Sequence, residues 1–152
     1  MLVKYLREHG RTVINLDGDE LRKILLAKTY SRKDRVDLGL TYSRLCKFLI
    51  SEHINVVIGV LGLWREVHLW NRNNIDGYVE IFLDTPISEL RSRDPKGLYR
   101  KYDNNEIKDV AGLDLKVDFP SNPDIHLVWN KDSNEQTIFE ELKNKLRLKK
   151  LI

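Results

Sequence analysis

A short apolar run that ends in two carboxylates around a glycine is the feature that most constrains the fold of this chain. Residues 13–16 are Val-Ile-Asn-Leu, and Asp17, Gly18 and Asp19 follow them directly before a helix-like segment begins at Glu20. The pattern predicts a strand whose carboxyl end carries both acids, and ligands bind at that edge in open α/β sheets. Gly18 permits a tight turn, and Asp19 is expected to cap the helix. Turn chemistry alone also favours these residues, so a purely structural turn remains an alternative.

Helix-like and strand-like segments alternate along the chain. Apolar spacing predicts helices over residues 2–9, 20–28, 33–53, 63–73, 86–92 and 133–146. Apolar runs predict strands over residues 12–16, 55–61, 78–83 and 125–129, of which 55–61 is apolar enough to be covered on both faces. Alternation of strands and helices predicts an α/β fold, in which right-handed helical crossovers connect parallel strands. We expect a three-layer α/β/α sandwich with a mostly parallel sheet, forming one domain over residues 1–152.

Two further local patterns complete the expected fold. Residues 93–114 are polar and charged with few apolar positions, and they are too long for a simple connection, so they are expected to form a lid. Ser133 and Gln136 have the spacing of a capping box at the start of the last helix.

Composition narrows the classes of function and partner. The chain has 26 basic and 23 acidic residues, a balance that does not favour a nucleic-acid or membrane partner. The single cysteine, Cys46, excludes an internal disulfide and fits a reducing compartment. No apolar stretch approaches membrane-spanning length, and residues 1–11 lack the pattern of a signal peptide. The cytoplasm is therefore the expected location.

The charged residues around the acidic turn suggest phosphoryl transfer. Asp17 and Asp19 have the oxygen ligands that suit Mg²⁺, and either can accept a proton from an attacking hydroxyl. Basic side chains that suit phosphate or sulfate gather near the same predicted edge or in the predicted lid, namely Arg22, Arg35, Arg65, Arg93, Lys96, Arg100 and Lys101. Each of them taken singly is also what a solvated surface carries. Positioning and charge neutralisation supply most of the catalysis in phosphoryl transfer.

The order of several motifs resembles the adenylyl-sulfate kinase family. Residues 16–22 read Leu-Asp-Gly-Asp-Glu-Leu-Arg, residues 34–36 read Asp-Arg-Val, and residues 93–99 read Arg-Asp-Pro-Lys-Gly-Leu-Tyr. The match continues in order through residues 106–108, 112–114, 119–120 and 122–124, so that it runs from about Gly10 to Trp129. The motif at 93–99 is specific, whereas Asp-Gly-Asp alone is not.

The resemblance implies a P-loop kinase-like fold and an ATP-dependent phosphotransferase. That family uses Mg²⁺ to transfer the γ-phosphoryl group of ATP to the ribose 3′-hydroxyl of adenosine 5′-phosphosulfate (APS), a step of sulfate assimilation. By resemblance, Asp17 and Asp19 are catalytic and hold Mg²⁺, directly or through water. The implied substrate-binding residues are Arg22, Tyr30, Arg35 and Lys96, while Arg93 belongs to the ATP side of the lid. A homodimer is one assembly expected for such a chain.

Departures from the family pattern leave the acceptor open. Residues 37–38 are Asp-Leu and residues 40–41 are Leu-Thr, where the family carries Glu-Asn and two arginines. Val110 takes the position of a lid phenylalanine that stacks on adenine, and residues 61–64 replace an Ile-Ser-Pro-Tyr segment. Each missing polar or stacking contact is worth about 1–3 kcal/mol. The acceptor is therefore either APS or another nucleotide-linked compound such as cytidine diphosphoramidate, the substrate of a related branch associated with bacterial surface polysaccharides.

The phosphate-binding loop of the family, Gly-x-x-x-x-Gly-Lys-Ser/Thr, is absent from the 152 residues. Without it there is no glycine-rich nest of backbone N–H groups and no lysine for the β- and γ-phosphates. Two interpretations follow. Either the chain is N-terminally shortened, which the mid-pattern start of the helix at Leu2 favours, or it is a non-catalytic nucleotide-binding relic that has lost ATP chemistry.

Overall fold

The computed structural model describes all 152 residues, Met1–Ile152, and divides into two compact units. The elements are, in order, α1 (Leu2–Glu8), β1 (Val13–Asp17), α2 (Gly18–Ile24), α3 (Arg32–Ser51), β2 (Asn55–Gly59), α4 (Arg65–Asn74), β3 (Ile81–Asp84), α5 (Ile87–Arg93), α6 (Leu98–Asp103), β4 (Ile125–Val128) and α7 (Glu135–Leu148). The first unit comprises Met1–Tyr78 and Leu115–Phe119, and the second comprises Val79–Asp114 and Pro120–Ile152. None of the helices combines the length and apolar character needed to cross a membrane. The expectation of one domain over residues 1–152 stays a prediction.

In the first unit, β1 and β2 form a parallel pair. The register runs from Val13 opposite Asn55 to Asp17 opposite Gly59, so both strands end at the same edge. The long helix α3 lies between them in sequence, as a parallel crossover requires. The α/β class with parallel strands predicted from sequence is therefore confirmed. The central residues of β2 are only half-buried, although the apolar run predicted a strand covered on both faces. An apolar run shows what a strand is able to bury but does not show what covers it.

A glycine lets two helices of the first unit approach closely. Gly39 lies in the middle of α3, where glycine costs about 1 kcal/mol of helix propensity. A Cβ atom built there would lie 2.8 Å from Cγ2 of Val67 on α4, which is too close for a real side chain. Val67, Tyr42 and Cys46 are all buried around this contact. The glycine is therefore needed for the packing of α3 against α4.

An arginine at the start of α3 joins three segments of the first unit. The guanidinium of Arg32 binds both carboxylate oxygens of Glu66, at 2.7 and 3.0 Å, and Oδ2 of Asp118 at 2.8 Å. Asp118 also accepts the backbone N–H of Arg65 at 3.2 Å, at the start of α4. The same guanidinium carbon lies 5.8 Å from the ring centroid of Trp64, which is 1% exposed. These contacts attach residues 115–119 to the starts of α3 and α4.

This network predicts how stability responds to acid. Hydrogen bonding to Arg32 lowers the pKa of Glu66, and the backbone N–H of Arg65 followed by Arg32 lowers the pKa of Asp118. Both carboxylates titrate lower when folded, so their stabilisation is complete above their ordinary pKa values of 4.5 and 3.8 and is lost as pH falls through the folded values. We expect the thermal midpoint of the wild type to fall more steeply below about pH 5 than that of Arg32→Gln. Lys33→Gln, which removes a neighbouring exposed ion pair, is the control, and parallel pH profiles for Arg32→Gln and the wild type would contradict the prediction.

In the second unit, β3 and β4 form another parallel pair, with Ile81 opposite Ile125 and Asp84 opposite Val128. Ile125 and Leu127 are 2% and 1% exposed and alternate with exposed residues, as expected for a strand with one covered face. Helix α7 packs against β4 and buries Leu142 and Leu146.

Two sequence predictions in the second unit are corrected. The N-cap of α7 is Asn134, which forms a capping box with Thr137, so the predicted box of Ser133 and Gln136 is displaced by one residue. Asn134 takes the role because it has extended backbone geometry and its side chain accepts the N–H groups of Gln136 and Thr137. The polar segment 93–114, for which the sequence predicted no helix, contains the short helix α6, and its role as a lid stays a prediction.

Candidate active site

The acidic turn, defined as Asp17, Gly18 and Asp19, joins the end of β1 directly to α2. Oδ1 of Asp17 accepts the backbone N–H groups of Asp19 at 2.9 Å and Glu20 at 3.1 Å. Asp17 is therefore the N-cap, and the prediction that Asp19 caps the helix is wrong, because Gly18 already belongs to the first helical turn. Asp17 and Asp19 are exposed. Capping fixes the Asp17 carboxylate at the strand edge, and the helix dipole favours the negative charge of Asp19 in the first turn.

Gly18 has no space for a side chain. A Cβ atom at this position would lie 2.8 Å from Cγ1 of Val60 and 3.2 Å from the carbonyl oxygen of Gly59. The turn therefore packs directly on the end of β2. This close approach holds the two carboxylates on either side of Gly18 at the carboxyl edge of the sheet.

Gly18→Ala tests that close approach. Overpacking of this kind costs about 1–3 kcal/mol, and we expect a loss of unfolding free energy in this range in urea titrations. Val60→Ala removes the nearer of the two clashing atoms, so the double variant is expected to recover part of the loss. Gly59→Ala is the matched control, because a Cβ atom there would meet nothing within 4 Å. Equal stabilities of Gly18→Ala and Gly59→Ala would contradict the packing described.

Three of the predicted substrate-binding residues meet between α2 and α3 and form what we term the cation–tyrosine cluster: Arg22, Tyr30 and Arg35. The guanidinium carbon of Arg22 lies 4.4 Å from the ring centroid of Tyr30, and that of Arg35 lies 5.3 Å from it. Arg22 also donates to the carbonyl oxygens of Thr29 at 2.8 Å and Ala27 at 3.3 Å, and Arg35 Nε donates to the carbonyl oxygen of Tyr30 at 2.8 Å. These bonds fix the segment between α2 and α3.

The first unit thus combines carboxylates with guanidinium groups. Two arginines around a half-exposed aromatic ring suit a planar group or an anion. The carboxylates of Asp17 and Asp19 are hard oxygen ligands, and Mg²⁺ in kinases is usually held by one or two carboxylates together with substrate phosphates and water. No group of three or more histidine, cysteine or acidic side chains lies close enough together to hold a metal ion. Two carboxylates alone are too few ligands for Mg²⁺, so nucleotide phosphates and water would have to supply the remaining ones.

Tyr42 contributes to this region although the sequence analysis placed it only within the helix predicted over residues 33–53. Its hydroxyl donates to the carbonyl oxygen of Gly18 at 3.0 Å, and the residue is 7% exposed. The sequence signal for this contact was a tyrosine at a core position, because a buried phenol needs a hydrogen-bond partner.

In the second unit, the motif at 93–99 spans the last residue of α5, a tight turn and the first two residues of α6. Helix α5 ends at Arg93, and Gly97 is the N-cap of α6. The Asp94 carboxylate accepts two backbone N–H groups from the first turn of α6, those of Tyr99 at 3.2 Å and Arg100 at 3.1 Å. Burial alone raises the pKa of Asp94, but these backbone N–H groups lower it overall. Gly97 has φ of +64°, a conformation that favours glycine. Lys96 lies exposed in this turn.

Arg93 has two partners in the second unit. Its guanidinium carbon lies 3.8 Å from the ring centroid of Trp129, and its Nε lies 2.7 Å from Oε1 of Glu89. Trp129 directly follows β4 and was predicted only as a strand residue. Arg93 and Lys96 thus lie in the second unit, whereas the other predicted site residues lie in the first, namely Asp17, Asp19, Arg22, Tyr30 and Arg35.

Val110 is also part of the second unit and is buried. It is 4% exposed, and its backbone N–H donates to Oδ1 of Asp114 at 2.7 Å. Its side chain is therefore buried and does not offer a surface on which a base could stack.

Comparison with known proteins identifies related kinases. The family model described as adenylylsulphate kinase matches residues 1–128. The cytidine diphosphoramidate kinase of Campylobacter jejuni is 35% identical over 150 residues, covering 99% of this chain and 85% of that protein. The adenylyl-sulfate kinase of Clostridium kluyveri is 30% identical over 131 residues, covering 85% of this chain. The chain spans only 66% of the length of that enzyme.

A solved structure shares the fold. The APS kinase of Mycobacterium tuberculosis in complex with AMPPNP and APS superimposes with a TM-score of 0.84 at 30% identity, covering 95% of this chain and 85% of that one. The agreement supports the P-loop kinase-like α/β fold expected from the resemblance.

Proposed function

Because the chain belongs to the adenylyl-sulfate kinase family, we propose that it is an ATP-dependent phosphotransferase that phosphorylates a hydroxyl group of a nucleotide-linked acceptor. The observation that carries this proposal is the family match together with two features of the first unit, the acidic turn at the strand edge and the two arginines on the Tyr30 ring. ATP is the expected donor, since the relatives are kinases and one was solved with AMPPNP. A kinase of small nucleotides that uses ATP is expected in the cytoplasm.

For the acceptor, we propose cytidine diphosphoramidate in preference to APS. The relative with that name is 35% identical over nearly the whole chain, compared with 30% over 131 residues for the C. kluyveri adenylyl-sulfate kinase. Val110 takes the position of the phenylalanine that stacks on adenine in the family, and its burial removes that stacking surface. A role in polysaccharide biosynthesis, in place of sulfate assimilation, follows from this choice of acceptor.

The first unit supplies the proposed chemistry at the acceptor. Asp17, held by its capping bonds, accepts the proton of the attacking hydroxyl, while Asp19 adds negative charge for a metal-bound nucleotide. Arg22 and Arg35 bind the anionic part of the acceptor, and Tyr30 orders both guanidinium groups. Mg²⁺, held by the two carboxylates directly or through water, would neutralise charge on the transferred phosphoryl group.

The second unit supplies the remaining proposed residues. By resemblance, Lys96 contributes to acceptor binding, and Arg93, held by Trp129 and Glu89, contributes to the ATP side. Asp94 has a structural role in the motif, because its hydrogen bonds to α6 build the turn that carries Lys96.

A second candidate function is acceptor binding without phosphoryl transfer. It is favoured by one feature, the absence of Gly-x-x-x-x-Gly-Lys-Ser/Thr from the 152 residues. The two candidates predict the same acceptor site but differ in whether MgATP binds.

Calorimetric titration of the 152-residue chain separates these possibilities. We expect cytidine diphosphoramidate to bind more tightly than APS and MgATP to bind as well. Tighter binding of APS would overturn the acceptor assignment, and acceptor binding without any MgATP binding would leave the second candidate in place of the kinase. Binding of none of the three by the folded chain would exclude both.

A further inference from the structure

We propose that Tyr42 is a positioning residue for the acidic turn, in which its buried hydroxyl holds the Gly18 carbonyl and so sets the direction of the Asp17 and Asp19 carboxylates. The inference rests on the proposed function of that turn. Tyr42 itself has no contact with a reacting group, and its effect would pass through the backbone.

The geometry supports a connection across the first unit. Tyr42 comes from the middle of α3, 24 residues along the chain from Gly18, and its hydroxyl donates to the Gly18 carbonyl oxygen at 3.0 Å. That carbonyl belongs to the peptide unit that joins Gly18 to Asp19. A Cβ atom on Gly18 would also lie 2.8 Å from Cγ1 of Val60, the residue that follows β2. The turn is therefore held by α3 and by β2 at the same residue.

The Tyr42 hydroxyl is in its donor form at neutral pH, because the ordinary pKa of a phenol is about 10 and its surroundings raise it. Burial raises the pKa of Tyr42, Arg22 opposes this, and Asp19 and Asp17 raise it further. The phenol therefore keeps its proton at neutral pH. A phenolate would lose the hydrogen bond to Gly18 and would add a negative charge near two carboxylates. The charged groups that act on Tyr42 are also the proposed site residues of the turn and of α2.

The proposed positioning role belongs to the Tyr42 hydroxyl, whereas the Tyr42 ring contributes to packing. The residue is 7% exposed and lies beside Ser43, which is 5% exposed. The Ser43 hydroxyl donates to the carbonyl oxygen of Gly39 within its own helix, at 2.9 Å. Ser43→Ala therefore removes a buried hydroxyl from the same turn of α3 without touching the acidic turn, which makes it a matched control for Tyr42→Phe.

Amide hydrogen exchange on the whole 152-residue chain tests the proposal without substrate. The N–H groups of Asp19 and Glu20 report on the turn, because both donate to Asp17. We expect Tyr42→Phe to accelerate their exchange about fivefold relative to the amides of β2, which corresponds to the net contribution of one hydrogen bond. Ser43→Ala is expected to leave the ratio unchanged. Equal ratios in Tyr42→Phe and the wild type would overturn the proposal, whether or not the chain is a kinase.

Steady-state kinetics with the proposed acceptor provide the second measurement. A misdirected carboxylate is expected to lower kcat about tenfold in Tyr42→Phe while KM for the acceptor changes less than about twofold. Ser43→Ala is expected to keep both values. Faster exchange with an unchanged kcat would overturn the positioning role. A wild type that transfers no phosphoryl group would instead refute the proposed function, and the exchange result would still decide whether Tyr42 holds the turn.

Discussion

Asp17→Asn is expected to lower the rate of phosphoryl transfer about 100- to 10,000-fold while leaving the fold intact, because a general base contributes a factor of this size. Asparagine caps helices about as well as aspartate, so the substituted side chain still accepts the N–H groups of Asp19 and Glu20. The substitution therefore removes the negative charge and the basicity and keeps the local structure. The measurements are kcat with saturating acceptor and the free energy of unfolding in urea.

Two further variants separate charge from capping at this position. Asp17→Ala also removes the cap and is expected to cost about 1 kcal/mol of stability in addition to the lost rate. Asp76→Asn removes an exposed carboxylate from the turn that follows α4 and is expected to change neither quantity. The loss of a general base cannot leave the rate nearly unchanged. A rate for Asp17→Asn within about twofold of the wild type would therefore remove Asp17 from the catalytic role.

Arg35→Ala is expected to weaken acceptor binding about 10- to 100-fold, since a hydrogen bond to a charged group contributes about 1.5–3 kcal/mol. The guanidinium of Arg35 lies against Tyr30 and donates to its carbonyl oxygen. Its removal takes a positive charge from the cation–tyrosine cluster and loosens the segment before α3. The dissociation constant of cytidine diphosphoramidate, measured by calorimetry, gives the size of the effect.

Arg44→Ala is the control for this prediction. Arg44 is exposed on the same helix, and its guanidinium lies 5.9 Å from the ring of Trp70, away from the cluster. Its loss removes the same charge and is expected to change acceptor binding less than about twofold, because exposed charges at a distance are screened by salt. Equal effects of the two substitutions would mean that acceptor binding depends on net charge and not on the cluster.

Most of the element order could be predicted from the sequence because apolar periodicity differs between helices and strands. The strand at 12–16, the helix at 33–53 and the strand at 125–129 correspond to β1, α3 and β4 with ends displaced by one or two residues. The ends were less predictable because adjacent residues can each serve as a cap. Asp17 replaces Asp19 at α2, and Asn134 replaces Ser133 at α7.

The site was only partly predictable for a different physical reason. Residues close in sequence or joined by a motif, such as the acidic turn, were visible in the residue pattern. Contacts between distant segments were not, since periodicity reports burial and says nothing of partners. Tyr42 with Gly18, Arg32 with Asp118 and Arg93 with Trp129 all belong to this second class. The predicted roles of the site residues stay predictions until they are tested.

The measurement that tests the central proposal most directly is phosphoryl transfer from γ-labelled ATP by the 152-residue chain, with Mg²⁺ and with cytidine diphosphoramidate or APS as acceptor in parallel reactions. We expect the wild type to form labelled product, with a higher kcat/KM for cytidine diphosphoramidate than for APS. We expect Asp17→Asn to form product about 100- to 10,000-fold more slowly with either acceptor. No transfer to either acceptor by a folded wild-type chain would contradict the assignment of this protein as a kinase.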